Sequence, residues 1–141
     1  MILYLDTSAL VKIYIREEHR DLVAQALHDA SQVAISVVAY PEARSAFARK
    51  KREGTLRNED HDGAVRALDL AWEDFYKMGV SYEIAQTAGN VAERFALRGL
   101  DAIHLTTALR IHSRAGDTRF LAFDQRLVDA ARQVMPIYEI H

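Results

Sequence analysis

Ile2-Leu3-Tyr4-Leu5-Asp6-Thr7-Ser8 is the stretch that sets the fold. Four apolar residues, β-branched and aromatic types among them, read as a buried strand, and the polar triplet stops it. From Ala9, residues Leu10, Val11 and Tyr14 fall at helical spacing, so the strand leads into a short helix. Asp21 to Ala30 is a second helix, with Leu22, Val23, Ala26 and Leu27 on one stripe. A second apolar run, Val33 to Val38, has the unbroken pattern of a parallel strand buried on both faces. Tyr40-Pro41-Glu42 then opens a helix with proline in its first turn, which runs through Phe47 to Arg49-Lys50-Lys51-Arg52 and closes at Gly54.

The alternation continues downstream. Val65, Leu68, Ala71, Trp72 and Phe75 step by threes and fours, predicting a helix over Ala64 to Phe75 ended by Gly79, with a brief strand at Val80 to Tyr82. Ile84 to Leu97 and Leu100 to Ile111 read as helices separated by Arg98-Gly99. Arg119 to Phe123 reads as a strand, Asp124 to Gln133 as a helix, and Pro136 to Ile140 as a terminal strand. Strands alternating with helices predict an α/β protein, a three-layer α/β/α sandwich around a mostly parallel sheet. No repeat or linker divides the chain, so residues 1–141 are expected to form a single domain.

Composition narrows the chemistry. The 141 residues carry 18 Lys+Arg against 20 Asp+Glu, a net charge of −2, and half are hydrophobic. A chain of this length buries roughly 68–70% of its unfolded surface, enough for one core without staples. The absence of cysteine excludes disulfides, thiol nucleophiles and thiolate zinc sites. With neither a basic leader nor an apolar run near the ~20 residues of a membrane span, the expected setting is cytoplasmic. Near-neutrality gives no domain-wide basic excess of the kind that announces a nucleic-acid binder. The average conceals one local excess: Arg44, Arg49, Lys50, Lys51, Arg52 and Arg57 stand against Glu53 alone. This basic segment is either a helix end favoured by the macrodipole or a track for phosphates.

Asp6 and Asp124 follow strands, Glu42 follows another in the opening turn of a helix, and Asp101 opens a helix. Acids at the carboxyl ends of parallel strands converge on the crevice where ligands bind. Converging carboxylates repel and raise each other's pKa unless a hard cation such as Mg2+ or Mn2+ neutralises them. Each acid alone has a simpler reading as a helix cap or dipole partner. For Asp6 the nearby Ser8 offers an alternative cap, and Glu is a poor N-cap, so the set points to a shared site more strongly than any member does. Ser8 is read chiefly as a cap, and His104 as a packing or hydrogen-bonding residue without an identifiable partner. The remaining histidines, at 19, 28, 61, 112 and 141, have no zinc-type spacing, and Trp72 is core or interface.

Four ordered strings carry a resemblance: Leu5-Asp6-Thr7-Ser8-Ala9-Leu10-Val11-Lys12, Glu42-Ala43-Arg44, Leu97-Arg98-Gly99-Leu100-Asp101-Ala102-Ile103-His104-Leu105, and Phe120-Leu121-Ala122-Phe123-Asp124-Gln125-Arg126-Leu127. Together they resemble the motifs of PIN-domain ribonucleases, in particular the toxins of VapBC-type toxin-antitoxin pairs, over nearly the whole chain. The resemblance implies a PIN-like fold and a Mg2+-dependent endoribonuclease, Mn2+ substituting, that prefers single-stranded RNA. It implies Asp6, Glu42, Asp101 and Asp124 as catalytic residues. Asp6, Asp101 and Asp124 would be the metal ligands, and Glu42 would position the attacking water or accept its proton. It further implies a cognate antitoxin, whose arginine would enter the acidic cleft, and a homodimer.

Two other readings remain open. A haloacid-dehalogenase-like phosphatase also places Asp after its first strand, but wants a second Asp where Ser8 stands. A non-catalytic protein-interaction domain of the same fold would use the acids only as caps.

Overall fold

Side chains alternate across β1 (Ile2–Leu5) and thereby sort the core: Leu3 and Leu5 face one side of the sheet and Tyr4 the other, all fully buried. The computed structural model describes residues 1–139. Around β1 the chain builds α1 (Thr7–Tyr14), α2 (Arg20–Asp29), β2 (Gln32–Ser36), α3 (Ala39–Arg52) and α4 (Asn58–Trp72). It continues with β3 (Tyr76–Met78), α5 (Tyr82–Phe95), α6 (Gly99–Ala115), β4 (Thr118–Leu121) and α7 (Gln125–Val134).

The four strands lie in the order β3-β2-β1-β4 and every pairing is parallel, with Leu3 opposite Val33 on one side and Arg119 on the other. Helices α1 to α4 cover the face of Leu3 and Leu5, where Val23, Ala43, Phe47 and Leu68 complete the core. Helices α5 to α7 cover the face of Tyr4, with Leu105, Ile111, Phe120 and Leu127. This is the expected three-layer α/β/α sandwich. Right-handed crossovers account for the division: the path β1-β2-β3 moves along the sheet with its helices on one face, and the return to β4 uses the other.

Several boundaries differ from the sequence expectation: β2 ends at Ser36 rather than Val38, and α4 begins at Asn58 rather than Ala64. Helix α4 ends at Trp72 rather than Phe75, and the strand after it is Tyr76–Met78 rather than Val80 to Tyr82. Lys77 satisfies carbonyls freed at the helix end: its ammonium donates to the carbonyl of Trp72 at 2.7 Å and to that of Phe75 at 3.3 Å. Phe75 nevertheless packs edge-on against Trp72, with centroids 6.0 Å apart, which is why its spacing mimics a helical position. β4 ends at Leu121, so Ala122 and Phe123 belong to the loop ahead of Asp124. The C-terminal strand reduces to a parallel bridge between Phe120 and Ile137, and Ile140 lies outside the described residues. Among the described residues no helix is long and apolar enough to cross a membrane.

Candidate functional site

The strand order makes a crevice at one place. The chain leaves β1 toward β2 and β3 and comes back to β4 on the opposite edge of β1, so the connections diverge at the carboxyl ends of these two strands. Asp6 directly follows β1, Asp124 lies just beyond β4, and Glu42 and Asp101 sit in the first turns of α3 and α6. All four line one cleft of about 830 Å3.

Asp6 is buried, 4% exposed. It is the N-cap of α1, accepting from the backbone N–H of Ala9 at 2.9 Å. This corrects the expectation that Ser8 caps the helix. Ser8 instead donates its hydroxyl to both Asp6 oxygens, at 2.8 and 3.0 Å, and accepts from the N–H of Phe123. Burial pushes the Asp6 carboxyl up to about 6, the charge of Asp101 adding to the rise, while His104, Ala9 and Ser8 partly offset it. Asp124 is likewise an N-cap, bonded to the N–H of Leu127 at 3.1 Å.

Glu42 stands in a hydrogen-bonded cluster drawn from four elements, β1, α1, α3 and α6. Thr7 donates to its Oε1 at 2.6 Å, and His104 Nε2 lies 2.9 Å from the same oxygen. His104 Nε2 is also 3.1 Å from Thr7 Oγ1, and its Nδ1 is 2.9 Å from the Tyr4 hydroxyl. Burial alone would raise the Glu42 carboxyl, but the hydrogen bonds from His104 and Thr7 outweigh it and hold the group below its ordinary value. Burial, reinforced by the charge of Asp6, keeps the Tyr4 phenol well above its usual range. Thr7 and Tyr4 were not singled out from the sequence, and His104 had no visible partner there. One signal was available for His104: it lies among Ala102, Leu105 and Ala108 on the buried side of α6, where a ring nitrogen requires a partner.

Asp101 and Asp124 share a cation. Arg98 Nε is 3.4 Å from Asp101 Oδ2 and its Nη2 is 3.9 Å from Asp124 Oδ2, on a side chain that is 82% exposed. In the same cleft Glu17 pairs with Lys12 at 3.3 Å and Lys50 at 2.7 Å. The basic segment of α3 divides. Arg49 and Lys50 line the acidic cleft, whereas Arg44, Lys51 and Arg52 border a separate hollow with His61.

The donor chemistry of the cleft fits a hard divalent ion: every carboxylate is an oxygen donor, and the buried Asp6 is repelled by Asp101. Among the described residues no three His, Asp or Glu side chains stand in a ready-made metal cage. Mg2+ does not require one, since it commonly binds through one or two carboxylates and keeps several waters.

A parallel sheet with acids gathered at its switch point defines a class, and comparison with known families identifies it: the PIN domain description matches residues 3–136, and the chain belongs to the PIN-domain family. Among its relatives is Ribonuclease VapC45 of Mycobacterium tuberculosis, 38% identical over 115 residues, covering 78% of this chain and 76% of that one. The fold is shared with FitAcB from Neisseria gonorrhoeae, at TM-score 0.70 and 18% identity over 99% of this chain and 97% of that one. It is also shared with a toxin-antitoxin complex from Klebsiella pneumoniae, at TM-score 0.66 and 21% identity over 98% and 99%.

Proposed function

We propose that this chain is a metal-dependent endoribonuclease, the toxin of a toxin-antitoxin pair, with residues 1–141 acting as one nuclease domain. The observation that carries the reading is that Asp6, Glu42, Asp101 and Asp124, from four separate segments, line a single cleft at the carboxyl edge of the sheet. Kinship to a ribonuclease over three quarters of its length supports RNA as the substrate.

Asp6, Asp101 and Asp124 hold the ion, Mg2+ or Mn2+. When bound, such an ion lowers the pKa of water and neutralises charge building on the scissile phosphate. Glu42 accepts a proton from the attacking water as the new bond to phosphorus forms and the backbone P–O bond breaks. Arg49 and the lysines of the cleft attract the phosphates on either side. Single-stranded RNA is preferred because a free strand can bend its backbone into a cleft that a stiff duplex would have to bridge. RNA as substrate puts this work in the cytoplasm.

The partner is an antitoxin that inserts an arginine among the acids. Arg98 illustrates the chemistry within this chain, its guanidinium reaching both Asp101 and Asp124. The toxin works as a homodimer, to be checked by its mass in solution.

The deciding experiment compares single-stranded and duplex RNA with Mg2+, Mn2+ or EDTA, using the parent, Asp6→Asn and Asp101→Asn. Cleavage of the single strand by the parent, lost with EDTA and in both variants, is expected. Folded variants that cleave as well as the parent would remove the acids from the reaction, and a parent that cleaves neither RNA with either ion would leave a non-catalytic domain whose acids serve only as caps.

A further inference from the structure

The Tyr4–His104–Glu42 chain of hydrogen bonds runs from the middle of the sheet to the wall of the cleft. Tyr4 is fully buried in β1 and stacked on Phe120, with centroids 5.5 Å apart and rings 7° from parallel. Its hydroxyl meets His104 Nδ1, and His104 is itself 1% exposed. The other ring nitrogen meets Glu42, which lines the cleft.

The partners place a proton on Nε2. A carboxylate oxygen only accepts, so the Nε2 side of the ring must donate to Glu42; a phenol that stays protonated can donate to Nδ1 in return. Thr7 gives its own proton to Glu42 and accepts a share of the imidazole N–H. Both donors therefore converge on Oε1, and among the described residues no hydrogen bond is recorded to Oε2. A glutamate side chain left to itself samples several rotamers; this one is fixed by one oxygen and presents the other.

We propose that His104 is a positioning residue for the hydrolysis, with Tyr4 behind it: it holds Glu42 by Oε1 so that Oε2 takes the proton of the attacking water. The inference rests on the nuclease reading above. It extends that reading from the four acids to a buried pair that reaches Glu42 through the hydrogen bond from His104.

The test uses His104→Gln, His104→Asn, His104→Leu and Tyr4→Phe in the full chain, with kcat and KM measured on single-stranded RNA. Gln places an N–H near the original Nε2, whereas Asn reaches only toward Tyr4 and Leu offers no donor. His104→Asn and His104→Leu are expected to lower kcat about 10- to 100-fold at nearly unchanged KM, the range typical of removing a group that orients a reacting one. His104→Gln should recover most of that loss. Tyr4→Phe should lower kcat by a few-fold alone and add nothing in the His104→Leu background.

Nitrogen NMR of the His104 ring in the parent gives a readout independent of activity and of the variants' folding. It should report the Nε2–H tautomer. An Nδ1–H tautomer, equal kcat losses for Gln and Leu, or parent-like kcat in His104→Leu would each overturn the proposal. A parent that cleaves RNA with indifferent His104 variants removes this inference alone. A parent that cleaves no RNA with any divalent ion removes the nuclease reading, and the inference with it.

Discussion

The backbone N–H of Ala9 donates to Asp6 Oδ1 at 2.9 Å, so one carboxylate both starts helix α1 and forms part of the acidic cleft. The two roles respond differently to substitution. Asp6→Asn keeps a capping oxygen and removes the buried charge; Asp6→Ala loses both. With its pKa raised to about 6, folded Asp6 holds its proton to higher pH than the unfolded chain does, so its ionisation costs stability as pH rises from about 4 through 6. Asp6→Asn should therefore be more stable than the parent at pH 8, by up to about 3 kcal/mol, with the gain vanishing near pH 4. Asp6→Ala should fall about 1 kcal/mol below Asp6→Asn for want of the cap. Denaturant melts at pH 4 and pH 8 check both.

Glu42 has the opposite sign. Its folded pKa is lowered, so it contributes stability that is fully present above the unfolded value of 4.5 and is lost as pH falls through the folded one. Glu42→Gln should destabilise the protein at neutral pH and leave it no less stable than the parent in strong acid. A parent and variant that differ equally at pH 3 and pH 7 would contradict the origin assigned to the shift.

Arg98 neutralises the acids that the proposed ion needs. Removing a unit charge a few ångströms from two carboxylates in solvent is worth about 1 kcal/mol, so Arg98→Gln should bind Mn2+ about 3- to 5-fold more tightly in calorimetry at low salt. The gain should shrink as salt is raised. At an ion concentration 100 times the dissociation constant, the parent should be stabilised by about 2.7 kcal/mol, and chelation should reverse this. Asp6→Asn/Asp101→Asn should show no such response.

Arg49 faces the cleft, whereas Lys51 and Arg52 border another hollow. If Arg49 contacts one phosphate, Arg49→Ala should flatten the salt dependence of single-strand RNA binding by about 0.7 in logarithmic slope, measured in EDTA. Lys51→Ala should change the slope less. Equal effects would mean that the whole basic segment acts as a diffuse charge.

Much of this protein is written locally. The apolar runs at Ile2 to Leu5 and Val33 to Val38, each followed by a helical period, determine a parallel α/β sheet, because strand burial and helix stripes are set by neighbours a few residues apart. The four acids are equally visible, since their addresses after strands and at helix starts are local facts. What depended on distant residues was not legible. Helix α4 ends where Lys77 folds back onto its last carbonyls, and both Asp6 and Ser8 had local capping ability until the approach of Phe123 gave the Ser8 hydroxyl another bond. Tertiary structure alone decided the role of His104: its partners Tyr4 and Glu42 lie 100 and 62 residues away. A buried ring nitrogen demands a hydrogen bond, but only packing of the strand and helices chooses which group supplies it.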